Sequence, residues 1–416
     1  MTISEKTARW ASRAVVLLLL AVCGCGSSPR IVVVSPQANI AFTSSRSLNG
    51  IDQANSATNI WLTDSTGAAL KPLTALTNGS SASPAWSPNG AKIAFESFRA
   101  LDGSNLAIPA ANIWVMNADG SNAMPLTRLN AETVSSTHSA WSPDGNKIAY
   151  DSTRALDGRN LAINSVNIWV MNADGTGGVP LTTLRATAAS SVSPVWSPDG
   201  KKILYTSSRA FNGFDVAIAV RNIWVMNADG SGSQPLTTLT AASSSDPAWS
   251  PDGTRIAYMS ARALDGSNDV GAANIWVMNA DGSGATPLTR ITTVFDLTTV
   301  SPLWSPDGRK IAYVSSRALD GSDNGSSMLN IWVMNNDGSN PRPLTRLIAA
   351  SSYQPAWSSD GSTILFCSTR ALDGSDASTT YGTLNIWMMN SDGTGAKPLT
   401  RSIASGADSA GPQLKP

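Results

Sequence analysis

From about residue 31 to residue 400 the apolar positions fall in short runs, each closed by Gly, Pro, Asn, Asp or Ser. Between Ser139 and Leu184 four such runs read as strands: Ala140-Trp141-Ser142 (A), Lys147 to Ser152 (B), Asn167 to Asn172 (C) and Val179 to Thr183 (D). Ser142-Pro143-Asp144-Gly145 places Pro second and Gly fourth, as a type I turn between A and B requires. Asn172-Ala173-Asp174-Gly175 carries the Asp-Gly hairpin signal between C and D. The B–C connection, through Ala155-Leu156-Asp157-Gly158, and the connection from D to the next A are long.

Proline orders the strands. Pro72, Pro125, Pro180, Pro235, Pro287, Pro343 and Pro398 all sit in strand D, where a missing N–H is harmless only at a sheet edge. Pro84, Pro194, Pro247, Pro302 and Pro355 open strand A and mark the opposite edge. Strands B and C are therefore central. Strand C, as in Ile168-Trp169-Val170-Met171, is apolar on both faces and needs a neighbouring sheet on each side.

The pattern repeats. Asn-Ile-Trp-[Val/Leu/Met] recurs with its Asn at 59, 112, 167, 222, 274, 330 and 385, and Trp-Ser-[Pro/Ser]-[Asp/Asn]-Gly begins at Trp86, Trp141, Trp196, Trp249, Trp304 and Trp357. Thirteen of the 14 tryptophans belong to these two motifs. Small four-stranded sheets covered on both faces, in seven copies, predict an all-β, seven-bladed β-propeller of four-stranded antiparallel blades. The strings from Ser83 to Phe95 and from Asn112 to Gly120 resemble the WD40-like (PD40) repeat of TolB-type propellers, over about Ile31 to Thr400. That resemblance implies a TolB-like propeller alone, since the first repeat begins within ten residues of Cys25 and leaves no room for the α/β domain that precedes the propeller in TolB.

The expected organisation is a lipoprotein signal peptide over 1–24, a short tether over 25–30, a propeller over 31–403 and a C-terminal tail over 404–416. The repeats lie near 31–76, 77–130, 131–185, 186–239, 240–291, 292–347 and 348–403. Lys6, Arg9 and Arg13 precede an apolar run from Ala14 to Val22 that is too short to span a bilayer and shaped like a secretory signal. Val22-Cys23-Gly24-Cys25 resembles the bacterial lipobox, which implies lipidation of Cys25 and a membrane-anchored chain facing the periplasm or cell exterior. Two segments can supply strand A of the first blade: Ile31 to Ser35, preferred for its β-branched run, or Pro412-Gln413-Leu414.

Composition narrows the chemistry. Lys+Arg 29 against Asp+Glu 29 gives zero net charge and no basic footprint for nucleic acid. The single His138 excludes a His-built metal site such as that of oligogalacturonate lyases, and no Gly-x-Ser-x-Gly elbow of a prolyl-oligopeptidase-type partner domain occurs. Turns such as Asn117-Ala118-Asp119-Gly120 fail as calcium loops because Val115 and Leu126 occupy ligand positions. The seven-fold Arg-[Ala/Ser]-[Leu/Phe]-[Asp/Asn]-Gly, present in every blade, reads as loop structure, its Arg bonding local carbonyls or a nearby Asp. Asymmetry guides better. Glu96 and Asp151 share a strand-B position that holds Thr43, Thr206, Met259, Val314 and Cys367 elsewhere, and Glu132 with His138 reads as a solvated pair in one inter-blade loop.

No catalytic residue, metal ligand or cofactor is assigned. The expectation is a monomeric, lipid-anchored envelope scaffold that binds a protein or peptide partner without catalysis; the alternative is an enzyme or glycan-binding lectin using the channel mouth. The partner site is placed on three consecutive B–C loops, at Leu106 and Ile108, Leu161 and Ile163, and Val216 and Ile218, apolar where the other loops are polar.

Overall fold

The computed structural model describes residues 39–49, 52–211, 216–292, 299–322, 325–379 and 382–416. They form seven four-stranded antiparallel sheets. In the third blade, strands A to D are Ser136–Trp141, Lys147–Arg154, Ala162–Asn172 and Val179–Pro180. B and C run further than their sequence pattern because Arg154 pairs with Ala162 beyond a bulge. D is shorter: after Pro180 the N–H groups of Leu181 and Thr182 both turn to the Ile168 carbonyl, at 2.7 and 3.3 Å.

Strand A of each blade touches strand A of the next around the whole ring, so the A strands line a central channel, while strand D forms the outer edge of each sheet. The ring closes by the C-terminal route. Ser409–Leu414 is strand A of the first blade, paired with Ile40–Arg46. The preference for Ile31 to Ser35 is thereby corrected; that segment lies outside the described residues. Strand propensity is a local quantity, whereas this edge was decided by packing: Leu414 sits opposite Ile40, as Trp86 sits opposite Ile93 in the second blade.

Each inter-blade seam is a separate apolar core. Between the second and third blades Ala94, Ile113, Val115 and Leu126 meet Ile148, Tyr150, Trp169 and Met171. Closure makes an equivalent seam, in which Ile40, Phe42 and Trp61 meet Leu365, Cys367, Ile386 and Leu399. The inner tryptophans stitch neighbours together, Trp141 Nε1 donating to the Ala85 carbonyl at 3.1 Å and Trp86 Nε1 to that of Gln413 at 3.2 Å.

The Asn of the strand-C motif is structural. Asn112 is fully buried, accepts from Thr127 Oγ1 at 3.0 Å and from the Leu129 N–H at 2.8 Å, and donates to the Leu129 carbonyl at 2.8 Å. The same Asn–Thr bond recurs at Asn59, Asn167, Asn222, Asn274, Asn330 and Asn385. A buried amide satisfied in this way ties the segment after strand D to strand C where the proline has ended the ladder.

Candidate functional site

One position of the inner strand departs from regular β geometry in every blade. Ser83, His138, Ser193, Asp246, Ser301 and Gln354 have φ between 50° and 56°, and Gly411 has 60° in the first blade. In the third blade Thr137 pairs with Asp151 and Ala140 with Ala149, so two residues on strand A, His138 and Ser139, oppose one on strand B. Such a bulge re-aims a side chain, here at the channel wall, and a left-handed non-glycine residue costs about 1–3 kcal/mol. The ring repeats its backbone seven times but varies its chemistry: Ser, His, Ser, Asp, Ser, Gln and Gly.

The bulge also assembles the asymmetric residues. Asp151 Oδ2 lies 2.9 Å from His138 Nδ1 and accepts the Ser193 N–H at 2.9 Å, while Thr137 Oγ1 donates to its Oδ1 at 2.6 Å. The Asp151 side chain is 3% exposed and that of His138 58%. Glu96, half-buried, accepts the His138 backbone N–H at 2.8 Å. His138 thus belongs to strand A, paired with Asp151 and bonded to Glu96; the solvated loop pair with Glu132 is corrected, because strand A begins at Ser136 and takes residue 138 into the sheet while Glu132 stays in the loop before it. A chain of bonds joins the second, third and fourth blades through Glu96, His138, Asp151 and Ser193.

The electrostatics follow. The hydrogen bond to Asp151, opposed by partial desolvation, raises the pKa of His138 above its ordinary 6.5. Burial, with the Asp151 charge adding, raises Glu96 against its bond to His138. A histidine raised in the folded state contributes stability that is complete below its unfolded value and is lost as pH climbs through the folded one. The raised Glu96 acts in the same direction. The single imidazole resonance is therefore expected to titrate above 6.5 by NMR and to fall back toward 6.5 in Asp151→Asn; an unshifted midpoint in both proteins contradicts the pair.

Opposite this polar sector the channel is apolar. A cavity of about 610 Å³ is walled by the inner strands of blades four to seven, including Trp249, Pro302, Leu303 and Pro355, with Asp246 and Gln354 at its surface. Cys367, at the strand-B position equivalent to Asp151, is fully buried and its thiol is pushed up to about 12 by desolvation. Among the described residues no group of three His, Cys, Asp or Glu side chains is placed to hold a metal.

The loop triplets divide. Leu106, Leu161 and Val216 are 63%, 55% and 55% exposed, and each carbonyl closes its loop by accepting the N–H of Ala100, Ala155 or Ala210. Ile108, Ile163 and Ile218 are half-buried instead. Ile108 packs with Ala131 and with Ala162 of the next blade against Ala110, Leu129 and Val134. Val270, 63% exposed where strand C of the fifth blade opens, extends the apolar series, although it stands between Asp269 and Gly271 and its sequence gives no triplet. The loops are sewn together, as where Asn105 Oδ1 accepts the Thr77 N–H at 2.9 Å. Cys25 lies outside the described residues.

The seven-fold arginine has a second contact that the sequence did not disclose. Arg46, Arg99, Arg154, Arg209, Arg262, Arg317 and Arg370 each stack over the strand-C tryptophan of their own blade, at 3.8 to 6.0 Å from the ring centroid. Arg99, Arg154 and Arg370 also donate to the carbonyl of the loop glycine, Gly103, Gly158 or Gly374. The left-handed ring was missed altogether. Its sequence signal is a polar residue that changes from blade to blade before the recurring Pro and Trp of strand A, as in Ser83-Pro84, Asp246-Pro247 and Gln354-Pro355.

No family model matches the sequence. Over 120 residues it is 33% identical to the uncharacterized peptidase YuxL of Bacillus subtilis, a stretch that makes up 29% of this chain and 16% of that protein. Over 113 residues it is 33% identical to the Tol-Pal system protein TolB of Anaeromyxobacter dehalogenans, 27% of this chain and 21% of that one. In both, the match spans about a fifth or less of the relative's length. A puromycin-hydrolyzing peptidase of Mycobacterium tuberculosis superposes with a TM-score of 0.60 at 13% identity, covering 88% of this chain and 53% of that one, a likeness of fold alone. With seven antiparallel blades closed in a ring and TolB among its sequence relatives, the protein is a TolB-like β-propeller.

Proposed function

We propose that the protein is a lipid-anchored scaffold of the cell envelope that binds a protein or peptide partner and does not transform it. The observation that carries this reading is the row of exposed apolar side chains, Leu106, Leu161 and Val216, on the long loops of the second, third and fourth blades, with Val270 on the fifth. Binding residues concentrate on loops held by a rigid frame, and exposed apolar groups so grouped mark interaction surfaces. The Tol-Pal name of its relatives and the lipobox-like Gly24-Cys25 support an envelope location. The buried, weakly acidic Cys367 supports the absence of nucleophilic catalysis by a thiol.

The alternative, an enzyme or glycan-binding lectin with its site at the channel mouth, draws on the His138–Asp151 pair beside Glu96, an arrangement suited to acid–base work. One experiment separates the two. In affinity capture from solubilised envelopes, Leu106→Ser, Leu161→Ser and Val216→Ser combined should abolish recovery of the identified partner with the melting temperature unchanged, while His138→Gln retains it. Cys25→Ser should shift the protein from the membrane to the soluble fraction. Capture that survives the triple loop variant overturns the loop site, and a membrane-bound, lipidated Cys25→Ser protein overturns the anchor.

A further inference from the structure

The channel is chemically two-sided. Its wall in blades four to seven lines an open cavity of about 610 Å³ with Trp249, Pro302, Leu303 and Pro355. At the level of the left-handed ring the structure places Glu96 and Asp151 on one side and Asp246 at the cavity surface, with the imidazole of His138 beside the first two. Ser83, Thr137 and Ser193, the other groups around them, are neutral. Among the described residues no Lys or Arg forms an ion pair with any of the three carboxyl groups.

Two of the acids have different roles. Asp151 is buried and already accepts from Thr137, Ser193 and His138, so it positions the imidazole and has little capacity left. Glu96 is half-buried and takes the His138 N–H on Oε1 and a hydrogen bond from the Ser83 side chain, two donors against the three on Asp151, which leaves acceptor sites of its carboxylate open. A carboxylate held partly out of water, whose neighbouring imidazole loses its charge as pH rises, gains from a ligand that supplies a permanent cation.

We propose that this channel is a binding site for the basic side chain of a peptide, a Lys or Arg, with Glu96 as its counter-ion and the apolar wall of blades four to seven receiving its neighbouring apolar residues. The inference rests on the peptide-binding reading above only for the source of the cation. Charge complementarity selects the occupant: an anionic or neutral group gains nothing from Glu96 and Asp246. The long methylene stems of Lys and Arg also suit a path along apolar surface to a charged end. A calcium ion would require six to eight oxygen ligands, more than the carboxylates gathered here supply.

The test uses the full chain and two capped tripeptides, acetyl-Leu-Arg-Leu-amide and its citrulline analogue, which keeps the shape and removes the charge. Calorimetry or ligand-observed NMR should show the arginine peptide binding about tenfold more tightly than the citrulline peptide. Glu96→Gln, which preserves the bond to the His138 N–H, should erase that difference and leave the citrulline peptide unaffected. Because His138 carries a like charge when protonated, affinity for the arginine peptide should rise from pH 6 to pH 8.5, and His138→Gln should flatten the rise. Equal binding of the two peptides, no binding of either, an unchanged preference in Glu96→Gln, or displacement by calcium chloride but not by sodium chloride at equal ionic strength each overturns the proposal. Glu96-dependent binding of the arginine peptide by a chain that captures no envelope partner leaves the channel site standing and removes the scaffold reading.

Discussion

A chain ending at Asp408 is expected not to fold cooperatively. The cut removes Ser409–Leu414 and with it the inner strand of the first blade, although it takes away only the last eight residues. Ile40, Ala41 and Phe42, each fully buried, then lose the sheet edge beside them. Trp86 loses the Gln413 carbonyl, and the paired Ser44 and Ser409 hydroxyls lose each other at 2.9 Å. A propeller has no terminal caps, so one missing strand leaves unpaired ladder groups and an uncovered seam at once, a loss comparable with the whole stability of about 5–15 kcal/mol of a typical domain. Circular dichroism should show no sharp melt, and gel filtration should show aggregate. Removing residues 1–35 leaves every one of these contacts in place, and the melt should match that of the full chain. Cooperative unfolding of the C-terminal truncation at the parental temperature would contradict closure by this strand.

Trp169→Ala is the single substitution with the largest expected cost, about 3–5 kcal/mol. The indole is 1% exposed, stacks on Tyr150 with ring centroids 6.5 Å apart, lies beneath the Arg154 guanidinium at 4.9 Å, and packs across the seam against residues of the second blade. Truncation opens a cavity between two sheets that are held in place by the rest of the ring and cannot collapse into it. It also leaves Arg154 without the ring face that covers it. A fall in melting temperature of about 4–6 °C is expected for a chain of this size. A change within about 1 °C would mean that the seam repacks, contrary to its close packing. Glu132→Ala, at an exposed loop position, is the matched control and should leave the melt unchanged.

Much of this architecture is legible in one repeat. Pro180 and its counterparts mark the outer edge, the two-faced strand Ile168-Trp169-Val170-Met171 demands neighbours on both sides, and Asp144-Gly145 and Asp174-Gly175 close the tight turns, with φ of 72° and 87° at the glycines. These are local relations, set within a few residues by backbone chemistry and solvent. The channel site was only half legible. Glu96 and Asp151 stand out because they break the repeat, but that His138 joins them depends on a bulge that shifts two residues of strand A against one of strand B. Likewise, each loop triplet reads as three apolar residues, whereas the fold buries half of Ile108 and leaves Leu106 in water.

The sequence by itself therefore determined the number of blades, the order of strands within each, the tryptophan seams and the loops that are apolar, since each is written into a pattern repeated every 52 to 56 residues. The tertiary structure alone decided which end of the chain closes the ring and which polar side chains meet at the channel. Both are relations between segments far apart in sequence: Ser44 finds Ser409, and Glu96 finds His138 42 residues on. Local propensity favoured Ile31 to Ser35 for the closing edge, but Leu414 fills the seam facing Ile40, and the same ring geometry brings strand B of one blade against the bulged strand A of the next.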